Sequence, residues 1–137
     1  MVNQTKEVSA RLRISSDTLY SNDILSILGC QSDKIIEKGQ KLESRGPIAR
    51  YADETTCFFD SGLPEDSLFE EHLEKISAFV DNYYVELKQL TDNCQITLYI
   101  SFATYNQQGS LVIAYNMVQK FFDLKIDIFI NFFSIED

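Results

Sequence analysis

The chain contains no tryptophan, a single histidine, five glycines and two methionines among 137 residues. Its aromatic content therefore lies in phenylalanine and tyrosine. There is no glycine-rich loop of the kind that cradles phosphate, no G-x-S-x-G nucleophile elbow and no H-E-x-x-H zinc helix. These absences remove the commonest enzyme signatures. Cys30, Cys57 and Cys94 are odd in number and widely spaced, without a C-x-x-C pair, which is the pattern of reduced thiols rather than of a disulfide frame or zinc site. No apolar run approaches the roughly 18 residues that a membrane span requires, and the polar start Met1 to Thr5 lacks a basic-then-apolar signal. The expectation is a soluble, cytoplasmic protein with no membrane partner.

Positive charge is also scarce, since the net charge is −9. Residues 1–50 carry eight Lys and Arg against six acids, a net of +2, whereas residues 51–137 carry four against fifteen, a net of −11. Such a surface repels nucleic acid phosphates and favours a basic protein partner, if it does more than confer solubility.

What is present is strong periodicity. Phe69, Leu73, Ile76, Val80, Tyr83, Leu87 and Leu90 recur at steps of four and three, so a helix over Ser67 to Asn93 places them along one face. Ser67 and Glu70 have capping-box spacing, and Asp92-Asn93 offers a left-handed stop. Phe79 and Tyr84 widen the stripe beyond a two-helix seam, which points to packing on a sheet rather than to a coiled coil.

Glu7 to Ser15 alternates, with Val8, Ala10, Leu12 and Ile14 on one side and Ser9, Arg11 and Arg13 on the other, as a half-buried strand does. A short helix follows, with cap residues at Ser21-Asn22-Asp23, Ile24, Leu25, Ile27 and Leu28 as its apolar positions, and Gly29 as its stop. Gln31 to Arg50 reads as a long basic connection carrying Lys34, Lys38, Lys41, Arg45 and Arg50, with a short strand near Ile35-Ile36. Thr55 to Asp60 suits a strand, and Gln95 to Tyr105 alternates again. Asn106 to Gly109 forms a turn, Ser110 to Ala114 a short return strand, and Asn116 to Phe122 a short helix with Met117, Val118 and Phe121 inward. Lys125 to Phe133 is apolar on both sides, which suggests a strand inside the sheet or at an interface.

This order predicts one α+β domain over residues 1–137, with residues 1–5 a flexible start. The architecture is a two-layer sandwich, in which one long and two short helices cover one face of a mainly antiparallel sheet, with the ferredoxin-like arrangement as the named candidate.

The run Leu12-Arg13-Ile14-Ser15-Ser16-Asp17-Thr18-Leu19, then Asp23-Ile24 to Ile27-Leu28-Gly29 and Glu37-Lys38-Gly39, resembles the small bacterial proteins of the domain of unknown function 4279 family. Phe58-Phe59-Asp60-Ser61 through Leu68 to His72-Leu73, and Leu124-Lys125-Ile126-Asp127-Ile128, extend the resemblance over nearly the whole chain. Where this family often carries a tryptophan, before the long helix, the chain has Phe58 and Phe59. The resemblance implies a compact bacterial intracellular domain with no assigned activity, and it transfers no catalytic residue.

Two surfaces emerge as candidate sites. Strand parity places Arg11, Arg13, Tyr99, Ser101, Asp127 and Phe129, with Thr97 and Asn131, on the sheet face away from the helices, where Arg and Tyr suit a binding surface. Asp60, Glu65, Asp66, Glu70, Glu71 and Glu74 form an acidic patch around the start of the long helix. Helix-start electrostatics accounts for most of that patch, and its spacing matches no EF-hand, so no metal, cofactor or catalytic residue is assigned. His72 falls beside the apolar seam with no sequence-local partner among Cys57, Cys94 and Ser67, which suits a structural histidine. The leading expectation is a non-enzymatic interaction module that binds a protein, with an immunity-type inhibitor of a basic toxin as its analogue. The alternatives are a homo-oligomer, such as a homodimer, built through the outer sheet face, and a small-molecule-binding protein or undetected enzyme with a pocket at Arg11, Tyr99 and Asp127.

Overall fold

The computed structural model describes residues 5–43, 46–105 and 111–135. The opening alternation forms β1 (Thr5–Ser16), and α1 (Ser21–Leu28) follows it. Gly29 stops α1 with a left-handed φ of 75°, a conformation without steric cost for glycine, and its N–H donates to Leu25 O. The cap is Tyr20 rather than the Ser21-Asn22-Asp23 run; Asp23 instead accepts from the Tyr20 N–H at 3.0 Å. The connection expected over residues 31–50 is more structured than its sequence suggests. It contains β2 (Lys34–Ile36) and a separate two-stranded ribbon of β3 (Lys41–Leu42) and β4 (Arg50–Tyr51). Arg45 lies outside the described residues, as do Met1–Gln4.

β5 (Thr55–Asp60) leads into the helical seam, which is broken in two: α2 (Phe69–Asn82) and α3 (Tyr84–Leu90). Tyr83, at φ −115° and ψ 24°, separates them, although neither glycine nor proline stands there. Its ring rests 4.7 Å from that of Phe79, which lies 4.9 Å from Phe59. The start also shifts by one residue. Ser67 N–H is taken by Pro64 O in a turn, so Leu68 becomes the cap and Glu71, not Glu70, reaches back to the cap N–H at 3.2 Å. Nor does Asp92-Asn93 supply a left-handed stop; Thr91 ends α3 in helical geometry, with its hydroxyl on Lys88 O at 2.7 Å.

β6 (Gln95–Tyr105), α4 (Tyr115–Asp123) and β7 (Asp127–Ile135) complete the chain. The expected turn at 106–109 and Ser110 lie outside the described residues, and residues 111–114 form no strand. On α4, Phe121 is buried and Met117 half-buried, whereas Val118 is exposed.

The main sheet runs β2-β5-β1-β6-β7. Each of its first four strands is antiparallel to its neighbours, so β1-α1-β2 and β5-α2-α3-β6 are two split units of parallel strands, each with a strand of the other inserted between its own. This is the ferredoxin-like order. β7 is an addition to it, joined through α4 and parallel to β6. Among the described residues it pairs within the sheet only with β6, so it is an edge strand; of the two placements its apolar sides suggested, inside the sheet or at an interface, the first does not hold.

The fold is α+β in two layers. Val8, Ala10, Leu12 and Ile14 of β1 and Ile96, Leu98, Ile100 and Phe102 of β6 meet Phe69, Leu73, Ile76, Val80, Leu87 and Leu90 in one buried cluster, joined by Ile24, Leu28 and Phe121. Lys120 joins α4 to α2 through Asp81 at 2.6 Å and Ser77 Oγ at 2.9 Å.

Glu37, just after β2, fastens the start of α1 by accepting from the Ser21 hydroxyl at 2.5 Å and the Ser21 N–H at 2.8 Å. The Ser21 hydroxyl first, then its N–H, lowers the Glu37 carboxyl below its ordinary value. A lowered folded-state value stabilises fully above the unfolded glutamate value, about 4.3, and that contribution is lost as pH falls through the folded value. Glu37→Gln should therefore lose about 1 to 2 kcal/mol at neutral pH. Urea unfolding should show the difference from the parent shrinking as the buffer is acidified below about pH 4.

Candidate functional site

The sheet face opposite the helices carries the odd-numbered side chains of β1, β6 and β7 and the even-numbered ones at the end of β5, and pairing brings them together across distances the sequence does not show. Arg11 faces Asp60 on one side and Tyr99 on the other, Tyr99 faces Phe129, and Ser101 faces Asn131. The residues surround a hollow of about 620 Å³, lined on this face by Arg11, Arg13, Phe58, Tyr99, Phe129 and Asn131. It continues past the end of β5 to Ser61, Glu65 and His72.

Charge on this face is largely neutralised. Arg11 Nε donates to Asp60 Oδ1 at 2.8 Å, with Nη2 at 3.4 Å from Oδ2, and its guanidinium lies 4.7 Å from the centre of the Phe58 ring. Arg13 donates to Glu54 at 2.9 Å and to the Tyr99 hydroxyl at 3.0 Å. Both ion pairs are between about a third and two fifths exposed, so each adds little to stability. Their effect is to orient the aromatic groups: Tyr99 and Phe129 meet at 5.2 Å with planes tilted by 47°. What the face presents is ring surface beside hydroxyl and amide groups, with the Lys34 ammonium 5.9 Å from the centre of the Phe58 ring at its β2 edge.

Asp127 does not belong to the hollow. It shares the face by parity, across from Thr97, but accepts from Gln95 Nε2 at 3.1 Å at the end of the strand. The expected acidic patch also divides. Asp60 turns to Arg11, Glu71 is engaged in the α2 start, and Glu65, Asp66, Glu70 and Glu74 remain exposed. Among the described residues no group of three or more His, Cys, Asp and Glu side chains converges on a metal-sized site.

His72 is more enclosed than its place beside the seam implied, at 1% exposure. Its Nε2 lies 3.0 Å from Pro64 O, which can only accept, so Nε2 carries the proton in neutral imidazole. Nδ1 is then the acceptor, and the Ser61 hydroxyl donates to it at 2.7 Å. The pair bolts the turn after β5 to α2. No spacing rule links a serine in a turn to a histidine 11 residues on, so pairing in space alone reveals it. Phe58 was also absent from the predicted face; the three consecutive buried residues Thr55, Thr56 and Cys57 hide the alternation of β5.

Burial pushes Cys57 up to about 11 and raises Cys30 and Cys94 as well, which keeps all three protonated at neutral pH.

The chain matches the family described as Domain of unknown function (DUF4279) over residues 4–132. It belongs to that family. The match spans every strand of the main sheet up to most of β7, so the ferredoxin-like unit and the added α4-β7 segment both lie within the DUF4279 domain. No curated protein and no solved structure matches the chain.

His72→Leu leaves the Pro64 carbonyl and the Ser61 hydroxyl without their buried partner, at a cost of about 1 to 3 kcal/mol. Glu70→Gln, on the solvent side of the same helix, should stay within about 0.5 kcal/mol of the parent. Denaturant midpoints of the two variants test this contrast.

Proposed function

We propose that this DUF4279 domain is a non-enzymatic protein-interaction module whose open sheet face seats a segment of a partner protein. The observation that carries the reading is the hollow itself: a sheet face over which no helix lies among the described residues, on which paired arginines hold Phe58 and Tyr99, and Tyr99 meets Phe129, beside Ser101 and Asn131. Aromatic rings fixed before binding lose little entropy when they are covered, and tyrosine is enriched among residues that dominate binding energy. Glu65, Asp66, Glu70 and Glu74 stand exposed around one end, and the chain carries −9 overall, so a basic partner is attracted at long range. An immunity-type inhibitor of a basic toxin is one form of this reading, acting in the cytoplasm.

The test is recovery of a reproducible partner from the native cell, followed by measurement of its affinity for variants. Tyr99→Ala should weaken binding by tenfold or more, about 1.4 kcal/mol, whereas Glu70→Gln together with Glu74→Gln should slow association and reduce its salt dependence. A partner that binds the Tyr99 variant as tightly as the parent removes the sheet face from the reading.

The Ser61–His72 pair favours a second reading, in which the same hollow takes a small molecule. Its volume lies within the range of ligand pockets, about 300 to 1,000 Å³, and Ser61 already donates its proton to an imidazole nitrogen. A fluorophosphonate probe distinguishes the two: attack forms the Ser61 Oγ–P bond, fluoride leaves, and His72 takes the hydroxyl proton. Labelling of the parent but not of Ser61→Ala supports nucleophilic chemistry in the hollow, and an unlabelled parent at saturating probe removes Ser61 from the second reading.

A further inference from the structure

The two edges of the main sheet differ in kind. β2 is three residues long and carries Lys34, the short and charged form that resists pairing with another chain. β7 is nine residues long, contains no Lys, Arg, Pro or Gly, and has Asp127 at its start as its sole charge. Phe129 (54%), Ile130 (40%), Phe132 (49%) and Phe133 (43%) are all exposed on it, so both faces of this strand show apolar groups to solvent. Among the described residues no strand pairs with its outer edge. A long, apolar edge with a charge only at its start is a template for another strand.

The strand is its own complement. Laid antiparallel against a copy of itself about Asn131, it sets Asn131 opposite Asn131, Phe129 opposite Phe133 and Ile130 opposite Phe132. Opposed residues in an antiparallel pair share a face, so ring meets ring on the open side, amide meets amide between them, and apolar groups meet on the helix side. Charge selects the same place: two chains of −9 repel one another, and the middle of β7 is where they can approach without opposing like charges. We infer that this protein forms a two-fold homodimer in which β7 pairs antiparallel with β7 of a second copy, making one continuous sheet from two five-stranded ones. Because the β2 edges are blunt, growth stops at two copies. The inference is independent of the partner-binding reading, and it leaves both open faces on the same side of the joined sheet.

Sedimentation velocity over a concentration series, with disulfide trapping, tests it. The parent should sediment as a dimer, and Ile130→Lys, which sets lysines beside the two-fold axis, as a monomer with unchanged far-ultraviolet dichroism. Asn131→Cys should give a disulfide-linked dimer under a mild oxidant, because residues opposite one another about the axis lie within bridging distance. Ile128→Cys should not. A parent that is monomeric throughout, one that accepts only a foreign strand on this edge, or a dimer that survives Ile130→Lys without trapping at residue 131 overturns the inference.

Discussion

The structure depends on β1 being antiparallel to both of its neighbours. Leu12 and Ile14 are fully buried on one side of it, and Arg11 and Arg13 reach the opposite face, so a slip of one residue against either neighbour would drive two guanidinium groups into the core. That penalty sets the register of β5 and β6 against β1. It also decides where the hollow lies, because Asp60 and Tyr99 meet Arg11 in no other register.

The helix layer answers to this sheet rather than to its own propensities. Its seam is continuous in sequence, yet the helix breaks at Tyr83, and Leu87 and Leu90 beyond the break are as deeply buried as Leu73 and Ile76 before it. Each half keeps its apolar face on the core. Likewise the turn at Pro64 takes the Ser67 N–H and moves the α2 start by one residue, while Ser61 and His72 fasten that turn from within. One face of the sheet is thus roofed and the other is left open, with its two arginines paired and its rings held in place. The open face and the β7 edge adjoin, since Phe129 both lines the hollow and stands on the edge strand.

The legible features were those that repeat within a few residues. Alternation placed Arg11, Arg13, Tyr99, Ser101 and Phe129 on the open face, and a step of three or four found the seam from Phe69 to Leu90. Features that depend on competition between neighbouring backbone groups were less legible. Ser67 has the right chemistry for a cap, but the turn claimed its N–H first; Asp127 shares the face by parity, but Gln95 holds it at the strand end. The small ribbon of β3 and β4 was missed because strands of two residues carry no period.

The sequence alone therefore determined which side β1, β6 and the long seam turn inward, and with it the α+β character and much of the open face. Those properties follow from backbone geometry over adjacent residues, which any segment carries with it. Tertiary structure decided who stands beside whom: β5 between β1 and β2, β7 at an edge rather than inside, Arg11 with an aspartate 49 residues away, and Ser61 with His72. No single segment encodes those choices, because they are settled only when apolar faces compete to cover one another and the buried polar groups must find partners in what remains.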